Sequence, residues 1–230
     1  MIFKQVFDQK SSTYTYIIAS AEGREALIID PVLENVEDYI KILNQLNLKL
    51  VKVIDTHIHA DHVTGAGKLR DKTKCVTIMG EHTPTDAVEV KVKDDEIIQL
   101  DKFKIRALYT PGHTSDSFCF LMNNYLFSGD TLLINGTGRT DFQNGSSYDA
   151  YDSLFNKLLK LPENTLVYPA HDYNGKKFST IEKEKNNNPR LQVKSKEEYA
   201  EIMENLKLAN PKMMDIAVPA NVKGLTLDQI

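Results

Sequence analysis

Between Asp55 and His62 the chain reads Asp-Thr-His-Ile-His-Ala-Asp-His. Three histidines and an aspartate within six positions are more metal-ligand capacity than a packed core tolerates without partners. The stretch directly follows Leu50-Val51-Lys52-Val53-Ile54, a β-branched apolar run that reads as a buried strand. The cluster therefore belongs on the loop leaving that strand's C-terminal end, where layered α/β folds commonly build their sites. In an extended loop residues two apart point the same way, so His57 and His59 address one point while Asp61 and His62, past the bend, address another nearby. One loop serves one metal or two. A lone histidine is more often a surface or satisfied core residue, and it is the clustering that reverses this reading.

With 230 residues, 41% hydrophobic and 26% charged, the chain can build one sizeable core, and one domain with a C-terminal helical extension over about 178–230 is expected. The net charge of −4 and pI of 5.9, with no basic stripe, argue against nucleic acid or an anionic membrane surface as partner. A small anionic ligand needs only a few local basic residues. Cys75 and Cys119 lie in apolar runs and read as buried free thiols, which fits a reducing compartment. The opening residues have neither signal nor transit-peptide character and no segment approaches membrane-spanning length, so the cytoplasm is the expected location.

Short β-like runs at Ile2 to Phe7, Tyr14 to Ala19 and Ala26 to Asp30 predict an antiparallel meander ending at Asp30-Pro31. A helix follows from an Asn35 cap to about Asn47, and Thr64-Gly65-Ala66-Gly67 opens another beside the histidine loop. Runs at Cys75 to Met79, Glu96 to Leu100, Phe103 to Tyr109, Phe118 to Met122 and Tyr125 to Ser128 supply a second sheet, with a tight turn at Asn123-Asn124. Helical spacing returns at Tyr148 to Lys160, at Thr180 to Asn187 behind a Ser179/Glu182 box and at Lys196 to Leu208 behind a Ser195/Glu198 box, with a strand at Thr165 to Pro169. Two groups of strands flanked by helices predict an α/β protein of the four-layer αββα type.

Three later positions repeat the first cluster's context, a polar side chain just past a β-like run with Gly or Pro at the junction. They are His113 in Thr-Pro-Gly-His, Asp130 in Ser-Gly-Asp and His171 in Tyr-Pro-Ala-His. Five of the six histidines are then accounted for, and His82 reads as a solvated loop residue. His57-x-His59-x-Asp61-His62, then His113, Asp130 and His171, in that order, resemble the metallo-β-lactamase superfamily. The resemblance implies the αββα sandwich, one metal site from His57, His59 and His113, a second from Asp61, His62 and His171, and Asp130 able to bridge them.

Gly138-Arg139-Thr140-Asp141-Phe142-Gln143, Tyr168 to Tyr173, Asn188-Pro189-Arg190-Leu191 and Val218-Pro219-Ala220-Asn221 narrow the resemblance to the persulfide dioxygenases, relatives of glyoxalase II. That family implies one iron(II) per chain on His57, His113 and Asp130. Two imidazoles and one carboxylate leave open positions suited to a ferrous ion that must hold a substrate and dioxygen together. The implied substrate is glutathione persulfide or another low-molecular-weight persulfide, oxidised with O2 and water to sulfite and the thiol. His59, Asp61, His62, His171 and Asp172 would then orient the ligands and restrict a second metal. Tyr173 and Arg190, with Arg139 beside them, would contact glutathione, although Arg139 can equally pair with Asp141 to hold its own loop. A homodimer matches the family's habit. Two further readings stand beside this one: a dinuclear zinc hydroxyacylglutathione hydrolase, and a metal or persulfide sensor without turnover. Many family members carry a cysteine near the end of the Pro-Ala-Asn segment, where this chain reads Asn221-Val222-Lys223-Gly224, so any role of that thiol is absent here.

Overall fold

The computed structural model describes residues 1–224; residues 225–230 of the expected extension lie outside the described residues. Strands β1 (Ile2–Asp8), β2 (Thr13–Ala19) and β3 (Glu25–Ile29) form the antiparallel meander. Every residue of β2 is buried, because both faces of the strand are covered. Tyr16 and Ile18 point to one side, Ile17 and Ala19 to the other, and each pair joins a different core.

Helix α1 (Val36–Gln45) carries the chain back so that β4 (Lys49–Ile54) adds parallel to β3. Asn35 does not cap α1 with its side chain; its amide donates to Asp8 Oδ1 at 3.0 Å, and a 3-10 turn over Leu33–Asn35 leads into the helix instead. After α2 (Ala66–Thr73), β5 (Val76–Gly80) and then β6 (Val90–Val92) extend the same sheet in parallel. The sequence grouped β5 with the second sheet. The α2 crossover returns it beside β4, as parallel pairing requires.

The second sheet starts with β7 (Ile97–Leu100), β8 (Phe103–Tyr109), β9 (Phe118–Met122) and β10 (Tyr125–Gly129), all antiparallel. A two-stranded ribbon of β11 (Leu132–Leu133) and β12 (Gly136–Thr137) follows. The helix expected to Lys160 begins as α3 (Ser147–Tyr151), then widens to a π turn and closes in a 3-10 turn. Strand β13 (Leu166–Pro169) adds parallel to β10, and β14 (Ser179–Thr180) closes that edge. Helix α4 (Ile181–Asn187) is capped by Thr180, which accepts from the Lys183 N–H at 3.1 Å, rather than by Ser179, whose hydroxyl donates to Glu184. Ser195 caps α5 (Lys196–Glu204) as expected, and α6 (Met214–Lys223), broken in the sequence by Pro219, was not foreseen.

The two six-stranded sheets enclose a core of Ile18, Ile54, Ile105, Phe120 and Phe127. Helices α1, α2 and α6 cover the outer face of the first sheet through Val36, Leu69 and Ala217, and α3 and α5 cover the second through Ala150 and Tyr199. This is the αββα sandwich. Cys75 and Cys119 are free and buried, as expected. Among the described residues no helix is long and apolar enough to cross a membrane.

Candidate metal centre

Four loops converge on one point because four strand ends do. His57 and His59 leave β4, His113 follows β8, Asp130 follows β10 and His171 follows β13. Two glycines permit the turns. Gly129, at φ +52°, brings its backbone against Thr56, where a Cβ would come within 2.7 Å of the hydroxyl. Gly112, at φ +142°, lies against α3, where a Cβ would meet the Ala150 Cα at 2.3 Å, so α3 seats directly on the turn that aims His113. Ser153 Oγ donates to the Pro111 carbonyl at 2.7 Å and fixes the same contact.

His57, His113 and Asp130 each offer a ligand atom within 4.8 Å of the others, and His59, Asp61 and His62 form a second such trio. His171 lies between them, its Nε2 3.6 Å from Asp61 Oδ2 and 3.6 Å from Asp130 Oδ2. Every one of these histidines has one ring nitrogen tied to the fold. His113 Nδ1 donates to the Arg139 carbonyl at 2.7 Å and His171 Nδ1 to the Ser12 carbonyl at 3.0 Å. His62 Nδ1 donates to Asp61 at 2.8 Å, and His59 Nε2 to Asp30 at 3.1 Å. His57 Nδ1 donates to Thr56 Oγ1 at 3.0 Å, whose own proton goes to Asp30. Each ring thus keeps a lone pair on its other nitrogen. Among the described residues the buried side-chain polar atoms without a partner are His59 Nδ1, His62 Nε2 and Asp130 Oδ1. Orphaned acceptors gathered at one place are costly unless a cation completes them, so the donor set fits a metal.

Burial holds the His57 imidazole well below its usual range, assisted by the neighbouring histidines, and leaves it a neutral donor. Burial also pushes His59 down, but the Asp30 carboxylate outweighs it and holds the ring at about 9. His171 behaves alike: burial is overcome by Asp130 and Asp61, and it rises to about 10. Burial would raise Asp61, yet His62 and His171 keep it well below the usual carboxylate range.

Sequence reading missed the groups that hold these ligands. Asp30, read only as a strand stop, sits at φ +50° and accepts from the Thr56 N–H at 2.7 Å as well as from Thr56 Oγ1 and His59. It thereby orients His59 directly and His57 through Thr56. Asp55 accepts from Thr64 Oγ1 at 2.8 Å. Asn221 reaches from α6 to donate to the His59 and His62 carbonyls at 2.9 and 3.0 Å, and it accepts from the Thr64 N–H at 2.9 Å. Gln143 donates to the Ile58 carbonyl at 2.7 Å. The signal for Asn221 was its place in the Pro-Ala-Asn segment; Asp30 gave none beyond standing before a proline.

The expected substrate contacts fall at different depths. Tyr173 is 74% exposed on the rim, its ring parallel to that of His171 with centroids 6.2 Å apart. Arg190 is half-buried, with its guanidinium on the Thr137 carbonyl. Arg139 forms a two-point pair with Asp141 at 2.6 and 2.7 Å, donates to the Ala209 carbonyl at 2.7 Å and lies over the Phe142 ring, so its charge is met within the protein. Asp172 accepts from the Asn174 and Lys176 N–H groups at 2.8 and 2.7 Å and shapes the rim loop that carries Tyr173. His82 is exposed, and it stacks on Tyr109 at 4.1 Å.

Residues 9–171 match the family described as the Metallo-beta-lactamase superfamily. The chain is 42% identical over 226 residues to the mitochondrial persulfide dioxygenase ETHE1 of Mus musculus, covering 97% of this chain and 88% of that one. It is 31% identical over 190 residues to a hydroxyacylglutathione hydrolase of Dictyostelium discoideum, covering 76% and 68%. The crystal structure of ETHE1 from Myxococcus xanthus superimposes with a TM-score of 0.94 at 47% identity, covering 96% of this chain and 98% of that one.

Proposed function

The chain belongs to the metallo-beta-lactamase superfamily and, within it, to the persulfide dioxygenases, and from that premise we propose that it oxidises glutathione persulfide, or another low-molecular-weight persulfide, at one ferrous ion held by His57, His113 and Asp130. The observation that carries the reading is the trio's geometry: one donor atom from each residue within 4.8 Å, two of them on imidazole rings whose Nδ1 atoms are tied to the fold. In balance, a persulfide, one O2 and one water yield sulfite, the free thiol and two protons.

His57, His113 and Asp130 would hold a ferrous ion, which would supply the redox chemistry and favour the deprotonated sulfur. The protein's part is positioning. The Arg139 carbonyl fixes the His113 tautomer, and Asp30 with Thr56 fixes that of His57. His171, its Nδ1 held by the Ser12 carbonyl, sets its Nε2 between Asp61 and Asp130 and would orient both carboxylates beside the centre. Tyr173, whose exposed ring lies parallel to that of His171, and Arg190, whose guanidinium sits on the Thr137 carbonyl, are the residues we assign to contact the thiol carrier. Its two free buried thiols fit a reducing compartment, and the cytoplasm is the location we propose.

A second reading rests on the other trio. His59, Asp61 and His62, with His171, retain the donors of a dinuclear centre, and a zinc pair there would activate water against a thioester. Metal counting together with oxygen uptake separates the two. One iron per chain and persulfide-dependent O2 consumption support the dioxygenase; two zinc ions and thioester cleavage without oxygen refute it.

A further inference from the structure

One buried carboxyl group is used by none of the roles above. Glu184, on α4, is fully buried and accepts three hydrogen bonds: from the Asn135 N–H at 2.8 Å, from the Asn188 side-chain amide at 2.8 Å and from Ser179 Oγ. Burying a carboxyl group is costly unless its oxygens are bonded in this way, and an apolar side chain would fill the place without that requirement.

What Glu184 holds is the stretch that joins two of the metal ligands. The chain leaves Asp130, turns back through β11 and β12 and arrives at Arg139, whose carbonyl accepts from His113 Nδ1 at 2.7 Å. Helix α4 and the 3-10 turn after it (Pro189–Leu191) grip this stretch at three successive residues. Glu184 takes the N–H of Asn135, which stands at φ +58°. Asn188, fully buried and bonded to Glu184, donates to the Gly136 carbonyl at 2.9 Å, and the Arg190 guanidinium donates to the Thr137 carbonyl. The next residue, Gly138, lies so close to the ligands that a Cβ there would fall 2.2 Å from the Asp130 carbonyl oxygen and 2.9 Å from the His113 Cβ. A chain packed this tightly has no slack, so a shift at Asn135 or Gly136 is passed on to the Arg139 carbonyl.

We infer that Glu184 is a positioning residue of the metal centre: through Asn135 and Asn188 it fixes the 135–139 stretch, and with it the aim of His113 and the seat of Asp130. The inference rests on the reading of His113 and Asp130 as metal ligands, and it holds for one iron or for a zinc pair alike.

Two substitutions separate acceptance of hydrogen bonds from mere filling of space. Glu184→Gln keeps a carbonyl oxygen for Asn135 and Asn188, and its amide donates to Ser179 Oγ, which can accept as well as donate. Glu184→Ala removes the partner of the Asn135 N–H and of the Asn188 amide. Chelator competition, run with Fe(II) and again with Zn(II), should show metal affinity lower by about threefold or more in Glu184→Ala and close to wild type in Glu184→Gln. In zinc-loaded protein carrying isotope-labelled histidine, the Nδ1–H resonance of His113 should shift and exchange faster with solvent in Glu184→Ala, while that of His171, held by the Ser12 carbonyl, stays in place. Asn188→Ala releases Gly136, should reproduce both effects, and serves in place of Glu184→Ala if that variant does not fold. A folded alanine variant with wild-type metal affinity and an unmoved His113 resonance makes Glu184 a packing residue and overturns the inference while leaving the ligand assignment intact; so does a Glu184→Gln variant as impaired as Glu184→Ala. A wild-type chain that binds neither Fe(II) nor Zn(II) removes the ligand reading and the inference with it.

Discussion

Either proposed metal arrangement would draw on Asp130, and His62 is the residue at which the two proposals part. Asp130→Ala removes an anionic donor whose Oδ1 has no other partner, so iron content and oxygen uptake should both be lost, as metal analysis of purified variant will show. His62→Ala should keep its iron, because His62 lies outside the trio; loss of stoichiometric iron from that variant contradicts the assignment. Asp30 acts one step further out. In Asp30→Asn the amide cannot accept from Thr56 and His59 in the same way, and iron affinity should fall about 10- to 100-fold with little change in fold. Competition with a chelator measures that directly, and an unaltered affinity would show that Asp30 only closes its turn. The histidines and aspartates that the fold brings together stood out in the sequence because each follows closely on a β-like run. The parts played by Asp30 and by Asn221, the latter marked only as part of a motif, did not, since their partners stand 26 and 157 residues away and a long-range hydrogen bond leaves no local pattern.

The elements most visible in the sequence were those with enough residues to show a period. The runs at Phe103–Tyr109 and Phe118–Met122 fall where they were expected, whereas β6, β11, β12 and β14 are too short for alternation to register. Helix α6 was hidden by Pro219, yet it carries the amide that clamps the histidine loop. Asn221→Ala leaves two carbonyls and one N–H of that loop without their partner, and stability should fall by about 1–3 kcal/mol, read from denaturant midpoints at unchanged slope. A value near zero would mean that water replaces the clamp. At the opposite end of the sheets, Arg24 and Ser20 hydrogen-bond Asp101 and lower its carboxyl from 3.8 to about 2. A lowered folded-state value contributes stability that is present above 3.8 and lost as pH falls toward 2. Asp101→Asn should therefore flatten that part of the acid-unfolding profile, and an unchanged profile would show that the pair is fully screened.

At the scale of the whole molecule, two sheets and their helices place four strand ends at one rim, and the chemistry depends on that convergence more than on any single loop. The αββα architecture was legible from the grouping of strands and from the resemblance carried by the histidines. The assignment of β5 was not, because an isolated apolar run does not say which sheet it will join; only the α2 crossover decides. The whole account turns on a lone ferrous ion bound by His57, His113 and Asp130. Metal analysis of protein purified without chelator, read alongside oxygen uptake on the same sample, tests this most directly. The account predicts close to one iron per chain and O2 consumption that begins only when a persulfide is added; two zinc ions per chain, with thioester cleavage proceeding in the absence of oxygen, would contradict it.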